Sequence, residues 1–317
     1  MHGIPIPASL TEGWPMLQTR LRQEAAVSIN TSLNNLGAAS TLVILLHGFN
    51  NTPEEARASY DVVEAEMARQ ALPKGAYQVV EIYWDGRHGA IPFFFRYSQP
   101  NAQFVGLALR GILNQVSHDH PVRIITHSLG TLVGCNALWN VNTTMSVSST
   151  NLKFWQDLKD ASGNYRYFYQ VAAANATDYS TPTHPDIRLG SIAAAIPGRT
   201  YDDYLERTPK VSASMGLYKR VVITNNPTDK VLNKFWVFAP LNTFLGITTL
   251  GRSRLDYQNY VPRAVTNAGG ESFLVPFYSG KEKHKWNHSL TGYATSEQMP
   301  VFLHTLFSDA PVPVGTN

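Results

Sequence analysis

One cysteine, Cys135, in a chain of 317 residues excludes an internal disulfide and any metal site built from several thiolates. Charge is scarce as well: Asp, Glu, Lys and Arg make up 15% of the chain, the net charge is +3, and only KEKHK (281–285) concentrates basic residues. Nucleic-acid recognition draws on a basic stripe along one face, so no nucleic-acid partner is expected. No apolar run approaches the roughly twenty residues that span a bilayer. The opening MHGIPIPASLTEGWPM lacks the basic start and apolar stretch of a secretory signal. The expectation is a cytoplasmic protein without stable membrane insertion. Also missing are a G-x-G-x-x-G turn after a strand, a His-Glu-x-x-His helix, a cysteine pair and a dense carboxylate loop. No cofactor and no metal are expected.

What is abundant is apolar surface to bury. Hydrophobic residues are 44% of the chain, enough for a large core. TLVILL (41–46) is a near-continuous apolar run, as in a strand covered on both faces of a parallel sheet. Thr52, Pro53 and Glu55 then read as N-cap, first helical residue and first-turn acid of a helix running to about Leu72. YQVVEIYW (77–84) is the next strand, AQFVGLALRGILNQV (102–116) a helix, VRIITHSLG (122–130) strand and turn, and TLVGCNALWN (131–140) a helix. Further strands are expected at YRYFYQVAAA (165–174), KRVVIT (219–224) and SFLVPFY (272–278), with a closing helix at 296–307. Strands alternating with helices imply βαβ units. The fold class is therefore α/β, a doubly wound, mainly parallel sheet. Residues 1–40 are expected to pack on it as an extension, and 41–317 to form one domain. Two spans break the rhythm, 180–218 and 231–270, and are expected to be lid or pocket-wall insertions.

The chemistry is concentrated in Thr126-His127-Ser128-Leu129-Gly130, set between an apolar strand and a helix. A serine hydroxyl is a weak nucleophile until a base takes its proton, and a sharp strand-turn-helix exposes it to one. Glycine usually flanks such a serine on both sides; here Thr126 fills the first place. Ser128 is the expected nucleophile, and His127 is expected to pack beside the turn. His47-Gly48-Phe49 follows the first strand. With the residue after the serine, it offers backbone N–H donors, those of Phe49 and Leu129, to an oxyanion. His47 itself reads as structural.

The acid should follow the serine and precede the histidine in sequence. Asp229, in NNPTDKVL after RVVIT, is preferred over Asp178, which also follows an expected strand. For the base, two histidines lie between the last strand and the last helix. His288 is preferred over His284, whose neighbouring lysines disfavour a protonated imidazole. Cys135 reads as a buried small hydrophobe and His304 as a structural histidine of the closing helix.

These segments resemble a known family. LLHGFNNTPEEA (45–56), Trp84 with the loop that follows it, Tyr97 to Ala102, ITHSLG (125–130) and NPTDKVL (226–232) are similar to the bacterial α/β hydrolases grouped as a DUF900-like esterase/lipase set. The likeness spans most of 41–290. It implies the α/β-hydrolase fold and a Ser-Asp-His triad at Ser128, Asp229 and His288. The elbow is HSLG where the family has an HSMG-like one, and AANATD (173–178) stands where the family's strand end is richer in aspartate.

The function expected is hydrolysis of a carboxylic ester, esterase or lipase-like, through an acyl-serine. The expected partner is a small-molecule ester, hydrophobic or aromatic in view of KFWVF (234–238). An amidase, thioesterase or acyltransferase would use the same residues, and a binding protein that kept the fold without the chemistry is the third reading.

Overall fold

Runs of branched and apolar residues become strands, and the amphipathic stretches between them become the helices that cover them. The structure, a computed structural model, describes residues 10–37, 40–86, 95–138, 184–196, 198, 200–201, 218–232, 250–267, 269–277 and 288–310. Its strands are β1 (Thr41–Leu46), β2 (Tyr77–Ile82), β3 (Val122–His127), β4 (Ile187–Ile192), β5 (Tyr218–Asn225) and β6 (Glu271–Pro276). They form one sheet in the order β2-β1-β3-β4-β5-β6, and every pairing is parallel. The helices are α1 (Leu10–Leu36), α2 (Pro53–Arg69), α3 (Phe95–Leu113), α4 (Gly130–Leu138), α5 (Arg254–Asn267), α6 (Leu290–Ala294) and α7 (Met299–Phe307). This is an α/β fold.

The two-residue period of a strand sorts the core into two layers. Leu42, Ile44 and Leu46 of β1 face one cluster, with Leu33 of α1, Leu109 of α3, Val133 of α4 and Val261 of α5. Val43 and Leu45 face the other, with Tyr60 and Met67 of α2, Leu290 of α6 and Phe302 and Leu306 of α7. Helices therefore cover both faces, which is why every residue of β1, β3 and β4 is buried. α1 joins the first layer through Ile29 and Leu33, and Asn30 fastens it to the end of α3 by bonds to Gln115 O (2.8 Å) and Ser117 N (3.0 Å). Among the described residues no helix is long and apolar enough to cross a membrane.

The start of α2 follows its local chemistry. Thr52 Oγ1 accepts from Glu55 N at 3.2 Å, and Glu55 Oε2 accepts from Thr52 N at 2.7 Å, a reciprocal capping box. α3 begins earlier than the apolar spacing predicts, at Phe95, and α7 starts at Met299 with Pro300 in its first turn.

The structure corrects one expectation. The sequence rhythm predicts an insertion over 180–218, but residues 187–192 within it are β4, paired between β3 and β5 in the middle of the sheet. IRLGSI hides its nature because half of it is Arg, Gly and Ser. Each finds a tertiary reason: Gly190 makes room for Phe302, Ser191 hydrogen-bonds Thr126 at 3.2 Å, and Arg188 reaches the end of α7. Within 231–270, likewise, residues 254–267 are α5, packed along β5 and β6 as a crossover helix. The strand expected at 165–174, Asp178, His284 and the aromatic run 234–238 lie outside the described residues.

Candidate active site

In a parallel sheet the loops after the strands gather at one edge, and there the chain reverses direction across the sheet. β1 is followed by β2 on one side and by β3 on the other, and such switch points open a crevice at the carboxyl ends of the strands. The ends of β1 and β3 are level, Leu46 pairing with Thr126. His47-Gly48-Phe49 and Ser128 thus leave the sheet side by side.

Ser128 turns the chain sharply from β3 into α4, with φ of +52°, a conformation that costs a non-glycine residue about 1 kcal/mol or more. It is held by three backbone bonds: Ser128 N donates to Ile192 O (2.9 Å), and Ser128 O accepts from Thr131 N and Ala195 N (each 3.1 Å). Glycine is required on either side of this turn. A Cβ on Gly130 would press into the carbonyl oxygens of Leu46 and His47, and one on Gly48 would stand 2.7 Å from Ser128 Cβ.

The structure brings Ser128, His288 and Asp229 into one hydrogen-bonded chain. His288 Nε2 lies 2.8 Å from Ser128 Oγ, and His288 Nδ1 lies 2.7 Å from Asp229 Oδ2. Since a carboxylate accepts only, Nδ1 carries the proton and Nε2 is free to accept the serine hydroxyl. Ser128 and Asp229 are buried, and His288 keeps a small exposed margin. Ser128 follows β3, Asp229 follows β5 and His288 follows β6, so three different strand ends contribute.

Asp229 has more support than its sequence context suggests. Its Oδ2 also accepts from the Tyr293 hydroxyl (2.9 Å), and its Oδ1 accepts from Leu232 N (3.0 Å). Burial pushes this carboxyl up, but the hydrogen bond and charge interaction with His288, the Leu232 N–H and the Tyr293 hydroxyl together outweigh it. The group is held below its ordinary value. Tyr293, on α6, is itself pushed up by burial and by the neighbouring carboxylate, so it stays a neutral donor. Its only signal in the sequence is its place five residues after His288, near enough to share a loop.

His127 and His47 are both buried, in different roles. His47 Nδ1 donates to Gly48 O (2.8 Å), its Nε2 accepts from Trp84 N (3.1 Å), and Trp84 Nε1 donates to His47 O (2.9 Å). The two rings stack at 5.5 Å. Burial lowers the His47 pKa, so the imidazole is a neutral strut between the ends of β1 and β2. His47 N also donates to the Tyr60 hydroxyl (2.6 Å), which donates on to Ile82 O (2.8 Å). His127 Nε2 meets the backbone carbonyl of His288 at 2.7 Å.

Phe49 is partly buried against the core in the loop after β1. Leu129 stands at the mouth of α4, and among the described residues no acceptor is bonded to its N–H. Cys135 is fully buried in α4, 3.9 Å from the Tyr201 hydroxyl, and burial pushes its thiol up to about 12; it is not a nucleophile. His304 of α7 contacts Gln70, at the end of α2, at 3.3 Å. Among the described residues no group of three His, Cys, Asp or Glu side chains is placed to hold a metal ion.

No family model matches the chain, and no curated protein matches it. Among solved structures it is similar to the crystal structure of an uncharacterized protein from Bacillus cereus, with 11% identity over 80% of this chain, 57% of that chain and a TM-score of 0.33. The chain thus spans a little over half the length of that neighbour, and a likeness at this level carries no argument about function.

Proposed function

We propose that the chain is a serine hydrolase of the α/β-hydrolase fold that cleaves carboxylic esters through an acyl-serine. The observation that carries the reading is the hydrogen-bonded chain of Ser128 Oγ, His288 and Asp229 at 2.8 and 2.7 Å, with Ser128 beside the switch point of a parallel sheet. A nucleophile bonded to a base, and the base to an orienting carboxylate, is the arrangement that activates a serine.

In this reading Ser128 Oγ attacks the ester carbonyl carbon while its proton passes to His288 Nε2. Asp229, ionised and held by three donors, stabilises the imidazolium and keeps Nδ1 protonated. The oxyanion is received by the backbone N–H groups of Phe49 and Leu129, fixed dipoles that need no rearrangement as charge develops. Collapse of the tetrahedral intermediate breaks the bond to the alkoxy oxygen, which leaves as the alcohol with the proton from His288. Water then enters; His288 takes its proton as it attacks the acyl carbon, and the carboxylic acid and Ser128 are released.

The test is labelling of the full chain with a fluorophosphonate, alongside turnover of p-nitrophenyl esters of graded length. Wild type is expected to label at one site, and Ser128→Ala to lose both labelling and turnover by at least about a thousandfold. Folded wild type that neither labels nor turns over any ester overturns the proposal. Matched thioester and anilide substrates then rank the leaving groups.

A further inference from the structure

The imidazole of His127 takes no part in the bond-making steps, yet it touches all three segments that those steps need. It is the residue before the nucleophile. Its Nε2 lies 2.7 Å from the carbonyl oxygen of His288, and its ring centre is 5.1 Å from the His288 ring. Gly48 passes so close on the other side that an added Cβ would stand 3.0 Å from His127 Nδ1.

We propose that His127 is a positioning residue: by donating its Nε2–H to the His288 carbonyl, it fixes the backbone of the base over Ser128. The proposal rests on the serine-hydrolase reading and adds a residue to it.

The geometry assigns the proton. A carbonyl oxygen only accepts, so the 2.7 Å contact requires Nε2–H, leaving Nδ1 bare. Nδ1 is buried and has no hydrogen-bond partner. A buried acceptor without a donor costs free energy, and a ring kept in that state is held for what its other nitrogen does. The ring also stays neutral. Burial, then the neighbouring His288, push its pKa down to about 3; the His288 carbonyl and the Asp229 charge oppose this, and His47 adds to it. A neutral ring can lie against His288 while that residue takes up a proton, whereas a second cation there would oppose the step.

His288 needs such a tether because of where it stands. It is the residue before Ser289, the N-cap of α6, whose Oγ accepts from Gly292 N at 3.1 Å, so its carbonyl lies outside the helical bonding. With His127 in place His288 is held at three atoms, Nδ1 by Asp229, Nε2 by Ser128 and the backbone oxygen by His127. The backbone bond, like the one from Nδ1 to Asp229, persists when the serine proton moves, and it alone of the three holds the main chain. Misplacing a reacting group by about 1 Å costs on the order of a hundredfold in rate.

The test compares wild type, His127→Phe and His127→Gln as full chains, each below its own melting temperature. Phe keeps the ring's bulk without the donor; Gln returns an N–H donor to roughly the place of Nε2. His127→Phe is expected to label with fluorophosphonate about 10- to 100-fold more slowly than wild type, with His127→Gln recovering most of the loss. Histidine 15N shifts of the wild type are expected to show a neutral His127 with its proton on Nε2. Equal labelling rates for wild type and His127→Phe would overturn the positioning role and leave the hydrolase reading intact. A folded His127→Gln as slow as His127→Phe, or a bare Nε2 in the wild-type spectrum, would do the same. Absence of labelling in wild type would remove the hydrolase reading, and the positioning role with it, whatever the tautomer.

Discussion

Asp229 shows how much of the site is decided by single atoms. One oxygen of its carboxylate serves both His288 and Tyr293, while the other takes the Leu232 N–H. Removing the phenol hydroxyl in Tyr293→Phe takes away one bond to a buried charge, worth about 1.5–3 kcal/mol. The pH dependence follows from the direction of the Asp229 shift. A carboxyl held below its ordinary value contributes stability that is fully present above that value and is lost as pH falls through the folded one. Without the Tyr293 donor the folded pKa rises, so Tyr293→Phe should lose stability at a higher pH than wild type. Melting temperature measured from pH 2.5 to 6 checks this; superimposable acid limbs would refute it. Ester turnover of the variant should fall about 3- to 10-fold, since the carboxylate still has two donors to hold its place.

Among the elements, β4 and β1 make the useful contrast. TLVILL carries its burial in its own composition and reads as a strand from its residues alone, as do VRIITH and RVVIT. IRLGSI does not, because what makes it a central strand lies elsewhere in the chain: Phe302 and Leu306 of α7 occupy the space over Gly190. A Cβ there would stand 2.6 Å from Phe302 Cζ and 2.8 Å from Leu306 Cδ2. Gly190→Ala should therefore cost about 1–3 kcal/mol by overpacking, with part of the loss recovered in the pair Gly190→Ala, Phe302→Leu. Urea unfolding of the two variants decides it, and equal midpoints for the single and the pair would be the contrary result. The site residues divide in the same way. Ser128, Asp229 and His288 stand out because each follows a strand or precedes a helix in a pattern the chemistry demands. Tyr293 and the tether at His127 depend on how α6 docks, which no local pattern reports.

For the molecule as a whole, the two edges of the sheet do different work. Opposite the serine, Arg123, Arg188 and Arg220 lie on neighbouring strands, Arg123 paired with Arg188 and Arg188 with Arg220. All three are buried. Arg188 donates to Leu306 O (3.2 Å) and Ser308 O (2.8 Å) and pairs with Asp186 and Asp309; Arg220 donates to Thr305 O (2.6 Å) and pairs with Glu271. Cations thus meet the last carbonyls of α7, the negative end of that helix, and lock it against the sheet. Arg188→Met would take the charged donor from Leu306 O, while Asp186 keeps Arg123 and Ser308 O keeps Arg220, a loss of about 1–3 kcal/mol. Labelling of Ser128 per folded molecule should be unchanged, because the cluster sits at the far edge. Urea unfolding with labelling in the same samples checks both halves, and a labelling rate that falls with stability would show the edges to be coupled.

The spacing of the reacting residues along the chain has an outcome in time. Ser128 is made 160 residues before His288, and β4, β5 and β6 must join the sheet in between. On the serine-hydrolase reading, a growing chain therefore holds its serine without the base that would arm it until residue 288 has been made. On that reading reactivity waits for the step when residues 288–307 close over the sheet, so a labelled serine would also report that the strands between it and its base have joined.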